Sequence, residues 1–515
     1  MTPKSPRFFD SHLIAFIFLS LALCAPTALA GWSEDIRLTY RGYEIHPQVI
    51  ARNDTVHVAW QQVAGPHFVS YMRSTDGGVN WDSLTNLTDY GHRGSNFDLS
   101  LSGSNILVGW SDANVNPPNP LGNIAYTVSS DGVIWSRPRY VYPDTMHDHP
   151  ANDLGIILNH DSIYVVYRPI GDDSTGYTPV IFRYSSDMGQ SWSREITVGH
   201  TWYYTNPLLI AKCANSLYIV WSGDCPPANF NREVNGVVSI DGGSTWTEPF
   251  LVSSSDSYVA QHSCVACDEG TGYFAVGWMD YALSGGGYPG DVFVRLTSDG
   301  GQSWGEIRYA TTHHRASDPS IAMIGDSIFA AWCDHDPDYG SINYEICFSR
   351  STDLGLSWTP YERLTFAEGN SNTPWISYDQ GKLHMVWWEY HRPPHSGNEI
   401  YYKRYDPEPD AIDGELDVIL AMRVNLFAFP NPFNSATVIN FSNLKGGEIK
   451  IFDVRGQLIR TFFTGGENEG RIIWDARDAT GKTVSSGIYF ARARFGSKAT
   501  RAPHESQAIK LIYLK

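Results

Sequence analysis

The sequence predicts an all-β chain: a seven-bladed β-propeller, with six blades as the alternative, followed by a small immunoglobulin-like β-sandwich. Three observations predict this. A motif of Ser or Thr, then Asp, Gly and Trp recurs six times, and an apolar strand ending in an aromatic recurs seven times. Residues 426–515 then abandon both patterns for short strands joined by Gly and Asn turns.

The chain opens with Lys4 and Arg7, an apolar run "LIAFIFLSLALC" (13–24) and "ALA" (28–30). A basic region, a hydrophobic region and a small-residue site in that order read as a signal peptide, residues 1–30, cleaved after Ala30. The run is shorter than the ~20 apolar residues of a spanning helix, so the mature chain is expected without a transmembrane segment. It keeps Cys213, Cys225, Cys264, Cys267, Cys333 and Cys347. An even count in an exported chain suggests disulfides whose pairing the spacing leaves open. Cys264 and Cys267 in "CVAC" have zinc-knuckle spacing, but no second such pair follows, so neither metal nor cofactor is expected.

The repeat comes next. Its copies are "STDGGVNW" (Asp76), "SSDGVIW" (Asp131), "SSDMGQSW" (Asp187), "SIDGGSTW" (Asp241), "TSDGGQSW" (Asp299) and "STDLGLSW" (Asp353), spaced 54 to 58 residues apart. Before each stands an aromatic-ended strand, from "VHVAW" to "IFAAW", and a seventh, "LHMVW", follows the last copy. Such β-branched and aromatic runs between Gly, Asn and Asp turns are strands. With the flanking segments they give four strands per unit, the pattern of a propeller blade. The motif then falls between third and fourth strands as a hairpin turn, in which Gly supplies positive φ and Asp and Ser accept backbone N–H bonds. The seventh unit lacks a fourth strand. At the other end of the chain, "WSEDIRLT" (32–39) matches "WTPYERLT" (358–365), the fourth strand of unit six. Pairing the N-terminal segment into the seventh sheet would close the ring and leave no open edge. The expected organisation is therefore a propeller over 31–408, an acidic linker over 409–425 and a C-terminal domain over 426–515.

The six turns resemble the Asp box of the sialidase (BNR) repeat. That resemblance implies a sialidase-like propeller with the boxes at the blade periphery as scaffolding. In the C-terminal region, "PNPFN", "IFDVRGQLI" and "WDARDATGKTVSSGIYF" look like the sorting domain of the type IX secretion system. It implies handling by that machinery and delivery to the cell surface or the medium.

A formal charge of −18 with only 37 Lys and Arg excludes an electrostatic footprint for nucleic acid. The expected partner is an extracellular glycan or glycoprotein. Function is expected on the face opposite the Asp boxes, where the long second-to-third-strand loops gather. The inner strands open with His46, Asp98, His149, Asn206, His262, Asp318 and Asn372, and Asp112, Asp280, Asp334 and Glu389 end the second strands. If both sets converge on the central funnel, the carboxylates suit acid and base work on a glycosidic bond. Arg93, Arg168, Arg315 and Arg392 lie in loops of that face and suit an anionic sugar. The sialidase resemblance implies an arginine in an "F/Y-R-I-P" stretch, but the matching place reads "EIHPQVI", with His46 before the proline. Three readings follow: a sialidase-like glycoside hydrolase, a lyase or other carbohydrate-active enzyme, and a non-catalytic glycan-binding or adhesive propeller.

Overall fold

The computed structural model describes residues 31–514, apart from 64–66, 89–91, 115–122, 143–150, 170–176, 203–206, 224–231, 336–342, 392–396, 407–424, 430, 432, 443–446, 465–468, 497–502 and 506–508. Residues 1–30, expected as a signal peptide, most of the expected linker, His149, Asn206, Arg392 and Cys225 lie outside the described residues, as does the side chain of Arg93.

Seven antiparallel sheets succeed one another along the chain. The first is typical: Glu44–Arg52, Thr55–Gln62, Phe68–Ser74 and Thr85–Asn86 pair in sequence order. The inner strands of the other six are His92–Ser102, Ala151–Asn159, Leu208–Cys213, Ala260–Asp268, Ala316–Ile324 and Ser371–Asp379. The aromatic that ends each second strand is buried: Trp60, Trp110, Tyr167, Trp221, Trp278, Trp332 and Trp387 are all at most 1% exposed. Apolar clusters fill each gap between consecutive sheets, and the last of them joins Val386, Ile400 and Tyr402 of the seventh sheet to Val49, Val58 and Trp60 of the first. The sheets thus form a closed ring.

The N-terminal segment supplies the missing strand. Gly31–Trp32 and Ile36–Arg37 pair antiparallel with Gly397–Asp406 of the seventh sheet. The likeness of "WSEDIRLT" to "WTPYERLT" has an atomic counterpart. Arg37 Nη2 donates to Glu399 Oε1 at 2.8 Å and Thr39 Oγ1 to Glu399 Oε2 at 2.7 Å. In the sixth sheet Arg363 Nη2 meets Glu345 Oε1 at 2.7 Å, and Thr365 donates to Glu345 Oε2. Both carboxylates are buried, and two or more donors each satisfy the requirement that a buried charge be paired.

The six repeat turns share one hydrogen-bond pattern. In the first, Ser74 Oγ donates to Asp76 Oδ1 (2.8 Å), and Asp76 Oδ1 accepts the Asn80 N–H (2.8 Å). The glycine three residues before the motif tryptophan has positive φ and abuts the preceding sheet: a Cβ on Gly189 would lie 1.7 Å from the Tyr126 hydroxyl, and one on Gly78 2.0 Å from that of Tyr402. The motif tryptophan packs edge-on against the same ring, Trp192 on Tyr126 and Trp81 on Tyr402. The turn therefore latches each sheet to its predecessor.

Cys213 and Cys267 form a disulfide between the fourth and fifth inner strands, while Cys264 is buried as a thiol. The C-terminal strands form two sheets. One holds Asn425–Phe429, Thr437–Ser442 and Glu469–Trp474; the other holds Leu458–Phe463, Glu448–Asp453, Gly487–Gly496, Pro503–Glu505 and Ile509–Tyr513. Ile439, Ile449, Ile451, Trp474 and Leu511 are buried together in their shared core. No helix of the described residues is long and apolar enough to cross a membrane.

Candidate functional site in the central cavity

The inner strands do not run straight. Five carry a β-bulge around a polar, non-glycine residue of positive φ: His46 (51°), Asn96 (44°), His262 (55°), Asp318 (47°) and Thr373 (44°). A bulge leaves one residue out of the ladder and re-aims its side chain. Proline follows in three of the five, Pro47, Pro319 and Pro374, at positions where the ladder asks for no donor. Left-handed backbone in a β-branched residue such as Thr373 is an outlier, and outliers of this kind gather at functional sites.

All five residues line one central cavity of about 220 Å³, together with Gln61, Asp153, Ser263 and Trp375. On one side of it a chain of polar groups links the fifth and sixth sheets. His262 Nδ1 lies 2.7 Å from Asp318 Oδ1. Ser317 Oγ donates to Asp318 Oδ2 (3.0 Å) and stands 2.8 Å from His335 Nε2, which is 3.5 Å from the exposed Tyr288 hydroxyl. Beside them Gln261 Nε2 donates to Tyr281 OH (2.8 Å), and the exposed Arg232 donates to Gln261 Oε1 (2.9 Å).

Burial opposes ionisation of Asp318, but the His262 and Ser317 hydrogen bonds and the nearby imidazoles outweigh it, and its pKa lies below the ordinary carboxylate value. Burial lowers His46, and it takes His335 down to about 4, so both are neutral at pH 7. Burial likewise pushes the Tyr288 phenol up to about 12, which keeps its proton available for donation. A carboxylate that anchors one imidazole nitrogen leaves the other open as a base.

His46, His262 and Asp318 are therefore brought together as the sequence suggested, whereas the second-strand carboxylates are not among the lining residues. Each is buried and turned to local partners. Asp280 accepts the Trp278 indole N–H (2.9 Å) and the Ala282 N–H (2.8 Å). Asp334 accepts from Trp332 (3.2 Å) and lies 3.4 Å from His313. Asp112 accepts from Tyr140 (3.3 Å), and Glu389 stands 3.7 Å from His391. Arg168 is bound to Asp153 at 3.0 Å, and Arg315 is not among the lining residues. Asp98 lines the cavity, but its carboxylate accepts the Ile156 and Leu99 N–H groups, both at 3.0 Å. The bulge in the second sheet adds Asn96 beside Asp98, and the one in the seventh presents Thr373 in place of Asn372. Ser317, His335, Tyr288, Gln261 and Arg232 were not foreseen; a polar residue before proline in an inner strand was the usable signal.

Residues 428–502 match the family model of the secretion system C-terminal sorting domain. No curated protein matches the chain in sequence. Solved structures share its fold at low identity. The polysaccharide lyase Uly1 superposes with a TM-score of 0.51 at 9% identity, covering 73% of this chain and 99% of its own. An ulvan lyase of family PL25, bound to -[GlcA(1-4)Rha3S]-, gives 0.50 at 11% identity, covering 72% and 95%. A mutant Trypanosoma rangeli sialidase gives 0.44 at 9%, covering 95% and 94%. The molecule is thus a propeller that shares the fold of these two polysaccharide lyases. It carries a sorting domain that marks it for export by the type IX system to the cell surface or the medium.

Proposed function

We propose that this protein is an extracellular polysaccharide lyase that acts on a uronic-acid-containing glycan in the central cavity, with residues 31–408 as the catalytic unit and residues 1–30 removed on export. The observation that carries the reading is the His262–Asp318 pair, held at 2.7 Å on two positive-φ bulges of the cavity wall. His262 takes the proton on the carbon beside the uronate carboxylate. The C4–O bond then breaks, a C4–C5 double bond forms, and the departing oxygen takes a proton from the Tyr288 hydroxyl. Arg232, exposed beside Gln261, is the cation we assign to the carboxylate.

Hydrolysis of a glycosidic bond by the common route asks instead for two carboxyl groups facing the bond, sialidases with their tyrosine nucleophile being an exception. Of the three carboxylates that line the cavity, Asp98 accepts backbone N–H groups, Asp153 holds Arg168 and Asp318 holds His262. A neutral His46 also stands where the sialidase resemblance asks for arginine. The fold of the ulvan lyase, whose bound ligand contains glucuronic acid, agrees with an acidic substrate. The test is incubation with a panel of uronate polysaccharides, including a glucuronate–sulfated rhamnose polymer and a chromogenic sialoside. Growth of ultraviolet absorbance from the new double bond, absent in His262→Ala, supports the lyase; release from the sialoside alone overturns it. Retention of a polymer without any turnover would make this a binding propeller.

A further inference from the structure

Two exposed aromatic rings on the cavity face repeat one design. Tyr40 and Phe366 follow the fourth-strand positions of the seventh and sixth sheets. The Arg37 guanidinium lies 4.4 Å from the Tyr40 ring centroid and the Arg363 guanidinium 4.3 Å from that of Phe366. Each guanidinium is in turn fixed, by its bond to buried Glu399 or Glu345 and by an Nε–H bond to the carbonyl of Thr39 (2.8 Å) or Thr365 (2.7 Å). One face of each ring is thus held by a cation that is itself held. Yet Tyr40 is 73% and Phe366 74% exposed, among the highest values for large apolar side chains here.

Shielding of the ion pair accounts for one face of each ring and not for the other. Both rings stand on connections that lead into the bulged inner strands: six residues separate Tyr40 from His46, and seven separate Phe366 from Thr373. At about 3.3–3.6 Å per extended residue, each ring is at most ~25 Å from the cavity wall, within reach of a bound polymer. A flat ring already immobilised loses little conformational freedom when it stacks on the apolar face of a pyranose, which is how preorganisation raises affinity.

We infer that Tyr40 and Phe366 are outer subsites that stack sugar rings of the same polysaccharide as it leaves the central cavity, so that the enzyme prefers long chains. This rests on the proposed function for its occupant. It is tested with the full mature chain as wild type, His262→Ala and the double variant Tyr40→Ala/Phe366→Ala. Each is run through native gels containing the polymers of the panel and assayed on long polymer and on its tetrasaccharide, with melting curves as the folding control. The expected result is a double variant that melts as wild type, is retarded about tenfold less by the polymer, and has a raised KM on polymer with an unchanged KM on tetrasaccharide. Equal retardation and an unchanged KM ratio would overturn the subsites while leaving the lyase standing. Retardation that depends on the two rings, with no polymer cleaved, would keep the subsites and sink the lyase; retardation of none of the three proteins would sink both. Self-association of wild type that the double variant abolishes would assign the rings to a second copy of the chain and overturn the inference.

Discussion

The two faces of the ring use left-handed backbone in opposite ways. On the Asp-box face the positive φ values of the first repeat turn belong to Gly77 and Gly78, where they cost no side-chain strain. The side-chain oxygens of Ser74 and Asp76 are spent on the turn itself. On the cavity face the same backbone region is occupied by His, Asn, Asp and Thr, residues that adopt it at a cost and whose polar ends face a cavity. In all six turns the residue that abuts the neighbouring sheet is glycine, although Met188 and Leu354 take the preceding, open position in two of them. On the cavity wall a polar side chain takes the bend and faces the cavity.

The largest effect expected from that contrast is on turnover. His262→Ala should lower kcat at least about a hundredfold, the usual contribution of a positioned base, with an unchanged melting curve, and Asp318→Asn should lower it less. Asp76→Ala should do the reverse, lowering the melting temperature while kcat holds; loss of turnover in a folded Asp76 variant would break the division between faces. Next in size, deletion of residues 31–42 removes the edge strand and both donors on Glu399, leaving that buried carboxylate without them. A marked drop in the thermal midpoint follows, and an unchanged midpoint would refute the closure of the seventh sheet.

Smaller and sharper is a pair of glycines. Gly189 and Gly242 both have positive φ, but a Cβ at Gly189 meets Tyr126 whereas one at Gly242 meets nothing within 4 Å. Alanine should cost about 1 kcal/mol at Gly242, for backbone strain alone. At Gly189 overpacking adds about 1–3 kcal/mol, measurable by urea denaturation. The smallest effect is in pH. Burial raises Glu233 and Glu389 to about 7 in the folded chain, above their unfolded values. Their contribution to stability is therefore full below the unfolded carboxylate pKa and is lost as pH rises to about 7. Asp187 and Asp353, held at about 2 by hydrogen bonds to the side-chain hydroxyls and N–H groups of Ser191 and Ser357, act in the opposite sense. What they add is present above the ordinary aspartate pKa and fades as pH falls toward 2. Thermal scans of Glu389→Gln should flatten the upper slope and leave the acid limb alone.

Most of the ring was legible in the sequence because its signals are local. A turn motif and an aromatic-ended strand repeat in register, and even the clasp was visible through eight residues that reuse the Arg and Thr of a fourth strand. The cavity's position was legible for the same reason, but its chemistry was only partly so. Alternation along a strand predicts which side chains face inward until a bulge shifts the count by one. That shift is why Thr373 stands where Asn372 was expected and why Asn96 joins Asp98. Asp280 and Asp334 were misplaced for another reason: the buried Trp278 and Trp332 each bring an indole N–H that needs an acceptor, and the carboxylate two residues on supplies it. His335 and Tyr288 sit in loops with no period, so only the folded chain brings them to Ser317.

The clasp also orders events in time. The strand that finishes the seventh sheet precedes the rest of the propeller in the chain, while its partner, Gly397–Asp406, comes last. Six sheets can assemble as the chain lengthens, yet the ring stays open until residue 406 has emerged, and the loop then closed is nearly the whole propeller. The central cavity is therefore completed in a single late step, when the two ends of the propeller meet.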